Sequence, residues 1–318
     1  MKTISFMQAL KEKREEKKWV SVGLDTDFDE IPPEVVEFLR KRYNLASYEA
    51  QGPVMFAFNR TIIEATCDIV ACYKINPEFY AASGLQGFWA LERTAEYLHD
   101  MHLGFPWIFD RKYGDVGHTN KASAHYAFGI LKVGAVTVNP WGGREDGLDV
   151  FLKYKNKGIF IWCRGSNKGA REIQDIKITT ISGGALCDEP IYELIAERVS
   201  GFIEYVGPSP ELGWNISRNC GLVMGATYPE QLAQVRRVIG DMPILIPGIG
   251  AQKGDLAKTV KAAVYIDPET GKKSLPAIFN SSRSIIYASE GEDFAEVARQ
   301  RTLDLNIEIV KIFEEVSA

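Results

Sequence analysis

Eight short apolar runs, each separated from the next by a stretch of helical pattern or connecting loop, restrict the fold of this 318-residue chain more than any other feature. They fall at residues 19–25, 68–74, 104–112, 135–140, 158–164, 221–226, 243–247 and 276–282. Strands that alternate with helices pair in parallel, because the helix carries the chain back to the same end of the sheet. Eight such units predict an α/β fold, the closed (β/α)8 TIM barrel, with residues 1–318 forming one domain. Helices are expected at 7–18, within 31–48 after Pro32-Pro33, and at 51–68, 84–101, 120–132, 148–157, 189–205, 228–240 and 294–317. In 51–68, Phe58, Ile62, Ile63 and Ala65 are spaced for one buried face. Residues 167–188 read as the longest irregular stretch, and the polar excursion 261–275 as an exposed hairpin or loop.

Composition excludes several classes of partner. With 46% hydrophobic and 25% charged residues the chain can build a large core. A net charge of -5 provides no global basic field, so neither nucleic acid nor an anionic membrane is an expected partner. No apolar run reaches the ~18 residues of a membrane span, and the charged segment 1–19 lacks a signal-peptide core, which predicts a cytoplasmic protein. Cys67, Cys72, Cys163, Cys187 and Cys220 form no CxxC pair and no ligand spacing. Cys67, Cys72, Cys163 and Cys220, in or beside apolar runs, read as buried free thiols, which suits a reducing compartment, and no metal site is expected.

The chemistry concentrates in residues 107–119. An apolar run ends abruptly in Asp110, Arg111 and Lys112, with Asp115 following Gly114. Alternate strand residues share a face, so Asp110 and Lys112 are expected to point the same way. In a (β/α)8 barrel the C-terminal strand ends converge on one mouth, where active sites sit. That rule gathers Asp25, Lys74, Asp110, Lys112, Ser166, Pro247, Gly248, Gly250, Ser282 and Arg283. The last two strand ends are the usual phosphate site of the fold. There the turn from Pro247 to Gln252 offers backbone N–H groups and Arg283 a bidentate fork, which implies a phosphate monoester. His99, His102, His118 and His125 have neither a relay nor a ligand set around them and are assigned no catalytic role.

With these residues in place, the sequence resembles the orotidine 5'-phosphate decarboxylase family, in particular its longer bacterial-type subgroup. The most specific match is Asp-x-Lys-x-x-Asp-Ile/Val-x-x-Thr, met by Asp110, Lys112, Asp115, Val116 and Thr119. Gly23-Leu24-Asp25, Phe58-Asn59-Arg60, Tyr73-Lys74, Thr137-Val138-Asn139-Pro140, Pro247-Gly248-Ile249-Gly250-Ala251-Gln252 and Asn280-Ser281-Ser282-Arg283 follow in the family's order. The resemblance implies a homodimeric barrel, free of metal and organic cofactor. Such a barrel converts orotidine 5'-monophosphate to UMP and CO2 in the last step of de novo pyrimidine nucleotide synthesis. It implies a charged array of Lys74, Asp110, Lys112 and Asp115, with Lys112 as proton donor to the C6 carbanion. Asp115 and Thr119 would enter the neighbouring subunit's site, so that the dimer shares its active sites. Asp25 and Lys74 would bind ribose hydroxyls, Ser166 the pyrimidine amide, and Gln252, the Gly250 region and Arg283 the phosphate. After the fifth strand the chain departs from the family's usual Thr-Ser-Asn-Pro, carrying Arg164-Gly165-Ser166-Asn167-Lys168.

Three other readings compete. A Mg²⁺-dependent sugar-phosphate decarboxylase or aldolase of the same barrel group needs a further acid just before Asp110, where Ile108 and Phe109 stand. A Schiff-base aldolase needs a lysine among apolar groups, whereas Lys112 lies between aspartates. A non-enzymatic phosphate-ligand binder does not require the charged array.

Overall fold

The structure is a computed structural model that describes residues 4–45, 51–101, 106–182, 185–201, 219–249 and 255–317. Each of the eight apolar runs coincides in large part with a strand: β1 Val20–Gly23, β2 Cys72–Ile75, β3 Trp107–Tyr113, β4 Ala135–Val138, β5 Gly158–Arg164, β6 Cys220–Met224, β7 Ile244–Pro247 and β8 Ala277–Ser281. Neighbours in sequence are neighbours in space, every pairing is parallel, and β8 returns to β1 to close the barrel.

The runs are continuously apolar because both faces of each strand are covered. Ile108, Phe160, Val223, Leu245 and Ile278 fill the barrel interior. Their neighbours Val136, Val138, Ile159, Ile161, Ile244 and Ile246 belong to the larger core against the helices. Helix Phe6–Glu15, capped by Ser5 through the backbone N–H of Gln8, plugs the N-terminal end of the barrel. Phe6 and Leu10 join the interior cluster, and the Phe6 ring meets Phe160 edge-on at 6.1 Å.

Several boundaries differ from the sequence expectation, each for a local reason. The first helix stops before Lys17, whose φ of 59° breaks the helical path. The second strand begins only at Cys72, because residues 67–69 turn off the end of helix Gln51–Thr66 and Val70 donates back to Thr66 at 3.2 Å. The expected helix at 120–132 is helix Gly117–Ala124 followed by a wider π-helical turn, His125–Ile130. That expected at 148–157 is reduced to Asp149–Leu152 after a kinked turn. The supposedly irregular stretch 167–188 holds an antiparallel hairpin, Lys177–Ser182 against Ala185–Pro190. The hairpin takes residues 189 and 190, so the following helix is Ile191–Ser200; residues 202–205 of that expectation lie outside the described residues. Helix Leu256–Ala263 was not expected. The polar excursion after it is a small hairpin, Tyr265–Ile266 with Lys273–Ser274.

One buried side chain fastens the N-terminal end. Arg236 sits on helix Pro229–Ile239 with only 3% of its surface exposed. Its Nε donates to Ala263 O, its Nη1 to Gly240 O and Met242 O, and its Nη2 to Pro276 O, all within 2.9 Å. It therefore ties the ends of two helices to the entries of β7 and β8. Replacing it with an apolar residue would strand four carbonyls whose desolvation is then uncompensated. Arg236→Leu is expected to be destabilised by at least about 1–3 kcal/mol, the cost of leaving a buried acceptor unpaired. A urea-unfolding midpoint at neutral pH measures this; an unchanged midpoint would show that these hydrogen bonds contribute nothing.

Candidate active site

The C-terminal strand ends bring together most of the residues singled out from sequence. Asp25, Lys74, Asp110, Ser166, Pro247, Gly248 and Arg283 all line one cavity of about 170 Å³ at the mouth, with Asn76, Phe79, Ile249, Asn280 and Ser282. Gly250 and Gln252 lie outside the described residues.

At the centre is Lys74, the last but one residue of β2, buried to 3% exposure. Its Nζ lies 2.9 and 3.1 Å from the two carboxylate oxygens of Asp25 and 3.4 Å from Asp110 Oδ2. Asp110 Oδ1 in turn accepts from Lys112 Nζ at 2.9 Å and from Thr137 Oγ1 at 2.8 Å. Asp25 is held from behind by the Asn76 N–H at 2.9 Å and the Ser282 hydroxyl at 2.7 Å. The charges alternate along a line, Asp25, Lys74, Asp110, Lys112, and only Lys112 retains appreciable exposure, 32% of its side chain.

Burial alone would raise the Asp110 pKa, but Lys74 and then Lys112 outweigh it and hold the carboxyl down at about 2. For Lys74 burial favours the neutral amine; Asp25 and then Asp110 overcome this and raise the pKa above its ordinary value. Lys74 and Asp110 favour their charged forms together because each is buried beside an opposite charge.

Asp110 and Lys112 converge as expected, but not by plain alternation. Phe109 pairs with Val136 and Tyr113 with Val138, so β3 carries extra residues in an irregular bulge between them. Lys112 sits there at a φ of 54°, an unfavourable conformation for a side-chain-bearing residue. Two β4-side residues fix it: Thr137 Oγ1 accepts the Lys112 N–H at 2.9 Å, and Asn139 Nδ2 donates to the Lys112 carbonyl at 3.1 Å. Gly114 is required for a related reason. Its φ is ordinary, but a Cβ there would collide with the Asn139 amide. Thr137, Asn139 and Ser282 were absent from the residues assigned roles, although all three lie in stretches that carried the family resemblance. Their signal was position at a strand end.

On the side of β7 and β8, Gly248 has a φ of 96°, which favours glycine, and it lies bare beside the cavity. Arg283, exposed, begins the short helix after β8. Asp115 and Thr119, the two residues assigned to a neighbouring subunit's site, do not line this cavity. Asp115 is exposed and its carboxylate accepts the Val116 N–H at 2.6 Å; Thr119 is half-buried on helix Gly117–Ala124. His99, His118 and His125 also lie outside the cavity, and His102 is not among the described residues. Cys72, Cys163 and Cys220 are buried free thiols, and burial pushes that of Cys72 up to about 12; Cys67 is half-buried, and the Cys187 side chain lies outside the description. Among the described residues no group of three His, Cys, Asp or Glu side chains could hold a metal ion, and no helix is long and apolar enough to cross a membrane.

Such a site holds a charged ammonium beside a fixed carboxylate, with a bare glycine turn and an arginine at the other end. It can press one carboxylate against another and deliver a proton where negative charge develops.

The folded Asp110 pKa lies below the ordinary ~3.9 of an unfolded aspartate. Its contribution to stability is therefore present above pH ~4 and lost as pH falls through about 2. It amounts to about 2–3 kcal/mol by the size of that shift. Asp110→Asn is expected to be destabilised at neutral pH, and its gap from wild type to narrow between pH 4 and 2. Urea midpoints across that range measure it, and a pH-independent gap would contradict the assignment.

The chain is similar throughout its length to proteins of one kind. The model of the orotidine 5'-phosphate decarboxylase / HUMPS family matches residues 57–298. An orotidine 5'-phosphate decarboxylase of Cellvibrio japonicus is 36% identical over 312 residues, covering 96% of this chain and 98% of that protein. Another, of Azoarcus sp., is 37% identical over 301 residues, covering 94% and 96%. Among solved structures, Leishmania donovani UMP synthase superposes with a TM-score of 0.75 at 29% identity, over 98% of this chain and 57% of that longer one. A putative orotidine-monophosphate-decarboxylase of Toxoplasma gondii superposes with a TM-score of 0.72 at 29% identity, over 96% and 98%.

Proposed function

The chain belongs to the orotidine 5'-phosphate decarboxylase / HUMPS family, and on that premise we propose how its own side chains perform the reaction. It is a carboxy-lyase that converts orotidine 5'-monophosphate to UMP and CO2, in pyrimidine nucleotide biosynthesis. The observation that carries the assignment of roles is the alternating line Asp25, Lys74, Asp110, Lys112 at one barrel mouth.

Loss of CO2 from the pyrimidine ring leaves a carbanion at C6 with little delocalisation. Asp110 stands against the substrate carboxylate and disfavours the bound ground state. Lys112, the exposed end of the line, stabilises the growing negative charge and then gives C6 its proton. A lysine suits both tasks, being a compact positive charge and an acid. Asp25 and Lys74 hold the ribose hydroxyls, Ser166 the pyrimidine amide, and the turn of Pro247, Gly248, Gly250 and Gln252 holds the phosphate with Arg283. Asp115 and Thr119 complete the site of a second subunit, making the enzyme a homodimer with shared sites, and its location is the cytoplasm. No metal or organic cofactor takes part. The Mg²⁺-dependent alternative is disfavoured by Ile108 and Phe109, which occupy the place of its extra acid and are buried in the core.

Magnitudes require the parts to act together. One charge contact at 4 Å is worth about 4 kcal/mol at an effective dielectric of 20, while very slow reactions need about 23 kcal/mol or more. The remainder comes from binding energy at the remote phosphate, used to close and preorganise the array.

The decisive measurement follows the ultraviolet absorbance of orotidine 5'-monophosphate with purified protein in excess EDTA. Conversion to the UMP spectrum is expected with wild type and not with Lys112→Ala. Conversion that needs added Mg²⁺, or that survives in Lys112→Ala, would defeat the proposal. Arg283→Ala is expected to lose roughly 10–100-fold in kcat/KM, the worth of one charge-assisted hydrogen bond, although it touches only the phosphate. An unchanged kcat/KM would remove the phosphate from the mechanism.

A further inference from the structure

We infer that Trp162 is a positioning residue for the proton transfer: its indole face holds the Lys112 ammonium in place without consuming the proton that Lys112 delivers. This role rests on the decarboxylase reading of the site and deepens it. Trp162 lies inside the fifth apolar run, where nothing in the sequence sets it apart from a core residue.

Its place follows from strand alternation. Ile108, Ala135 and Phe160 belong to the cluster that fills the barrel interior. Alternate residues of a strand share a face. The next inward position on β5 is therefore Trp162, as Asp110 follows Ile108 on β3 and Thr137 follows Ala135 on β4. All three lie toward the C-terminal strand ends, where the charged line is built. Trp162 packs against the interior cluster and keeps part of its surface exposed. A Cβ on Gly165 would lie 3.4 Å from its Nε1, so the edge of the indole rests against the backbone that leads to Ser166.

Lys112 Nζ stands over the Trp162 ring, 5.7 Å from its centroid. That is within the ~6 Å over which the negative face of an aromatic ring attracts a cation. Among the described residues Asp110 is the only ion-pair partner of Lys112. With 32% of the lysine side chain exposed, water competes with that carboxylate for the ammonium. The indole supplies a second attraction, from another strand. It differs from a second carboxylate in one chemical respect. A carboxylate engages a particular N–H, whereas the ring attracts the charge as a whole. Of the three N–H donors of the ammonium, Asp110 takes one and the ring requires none, which leaves a proton free to aim at C6. The ring also keeps water from one side of the ammonium, where its charge then acts in a lower dielectric.

Steady-state kinetics with orotidine 5'-monophosphate test this on the full chain. Trp162→Leu is expected to lose roughly 5–30-fold in kcat, the worth of one cation–π contact. KM should stay nearly unchanged, because the contact serves the transition state. Trp162→Phe keeps a weaker face and should fall between. Tryptophan analogues with successive ring fluorines, inserted at position 162, drain the π-face with little change of shape. There kcat should fall stepwise, whereas the same series at Trp89, exposed on helix Gly84–Met101, should leave it constant. A packing role alone would show no dependence on fluorine. Lysine labelled with ¹³C gives a readout that needs no turnover. In the resting enzyme the Lys112 ε-methylene resonance, identified by its absence in Lys112→Ala, should be displaced upfield by the indole and return in Trp162→Leu. The inference is overturned if kcat of Trp162→Leu equals that of wild type, if KM rises while kcat holds, if fluorination at 162 has no effect, or if the Lys112 resonance is not displaced. A wild type that shows the displaced resonance but leaves orotidine 5'-monophosphate unconverted would overturn the decarboxylase reading, and the proton-delivery role with it, while the contact itself stands.

Discussion

The Lys74 ammonium, buried between Asp25 and Asp110, is the constraint on which the functional end of the molecule depends. A charge so deeply buried is tolerated only when opposite charges and hydrogen bonds surround it. Its two carboxylates come from just beyond β1 and from within β3, on either side of β2. The register Gly23↔Lys74 and Lys74↔Ile108 sets all three strand ends at one level. Ser282, just past β8, closes the ring by donating to Asp25. Only a closed barrel places the first and last strands side by side, so the site and the closure of the sheet stand or fall together.

Lys112 shows what the array costs locally. A regular strand would place it about 6.6 Å beyond Asp110 on the same face. Instead β3 is irregular there and Lys112 takes a positive φ, at the ~1–3 kcal/mol of a strained residue. Thr137 offsets that strain from β4 and at the same time donates to Asp110. One hydroxyl therefore sets the geometry of both the acid and the base of the pair.

How much of this could be read from the chain follows from which signals are periodic. Buried parallel strands leave unbroken apolar runs, and the barrel rule then places Asp25, Lys74, Asp110, Ser166, Pro247, Gly248 and Arg283 in one mouth without further information. The hairpin at 177–190 left no such trace, because its first strand, Lys-Ile-Thr-Thr-Ile-Ser, is largely polar and contains no unbroken apolar run. The bulge at Lys112 was equally invisible: its cause is a pair of hydrogen bonds from β4, a non-local interaction that β3 does not encode. Gly114 makes room for Asn139, which again lies at the end of another strand.

The segment after β5 explains why its departure from the family pattern leaves Ser166 at the cavity. Arg164 is 1% exposed, grips Asp175 with two hydrogen bonds of 2.7 Å, and lies 3.6 Å over the ring of Tyr228. The backbone is tied as firmly: Gly225 N donates to Arg164 O at 3.0 Å, Thr227 Oγ1 to Ser166 O at 3.1 Å, and Gln174 accepts the Gly165 N–H at 2.8 Å. Ser166 is thus fixed by groups that do not depend on the residues around it in the family motif. The end of the cavity that carries Ser166 is rigid, whereas Arg283 at the other end is exposed and begins a helix of one turn. If binding energy is to be converted into closure, the structural change belongs at the Arg283 side, with the Ser166 side acting as the fixed wall against which the substrate is pressed.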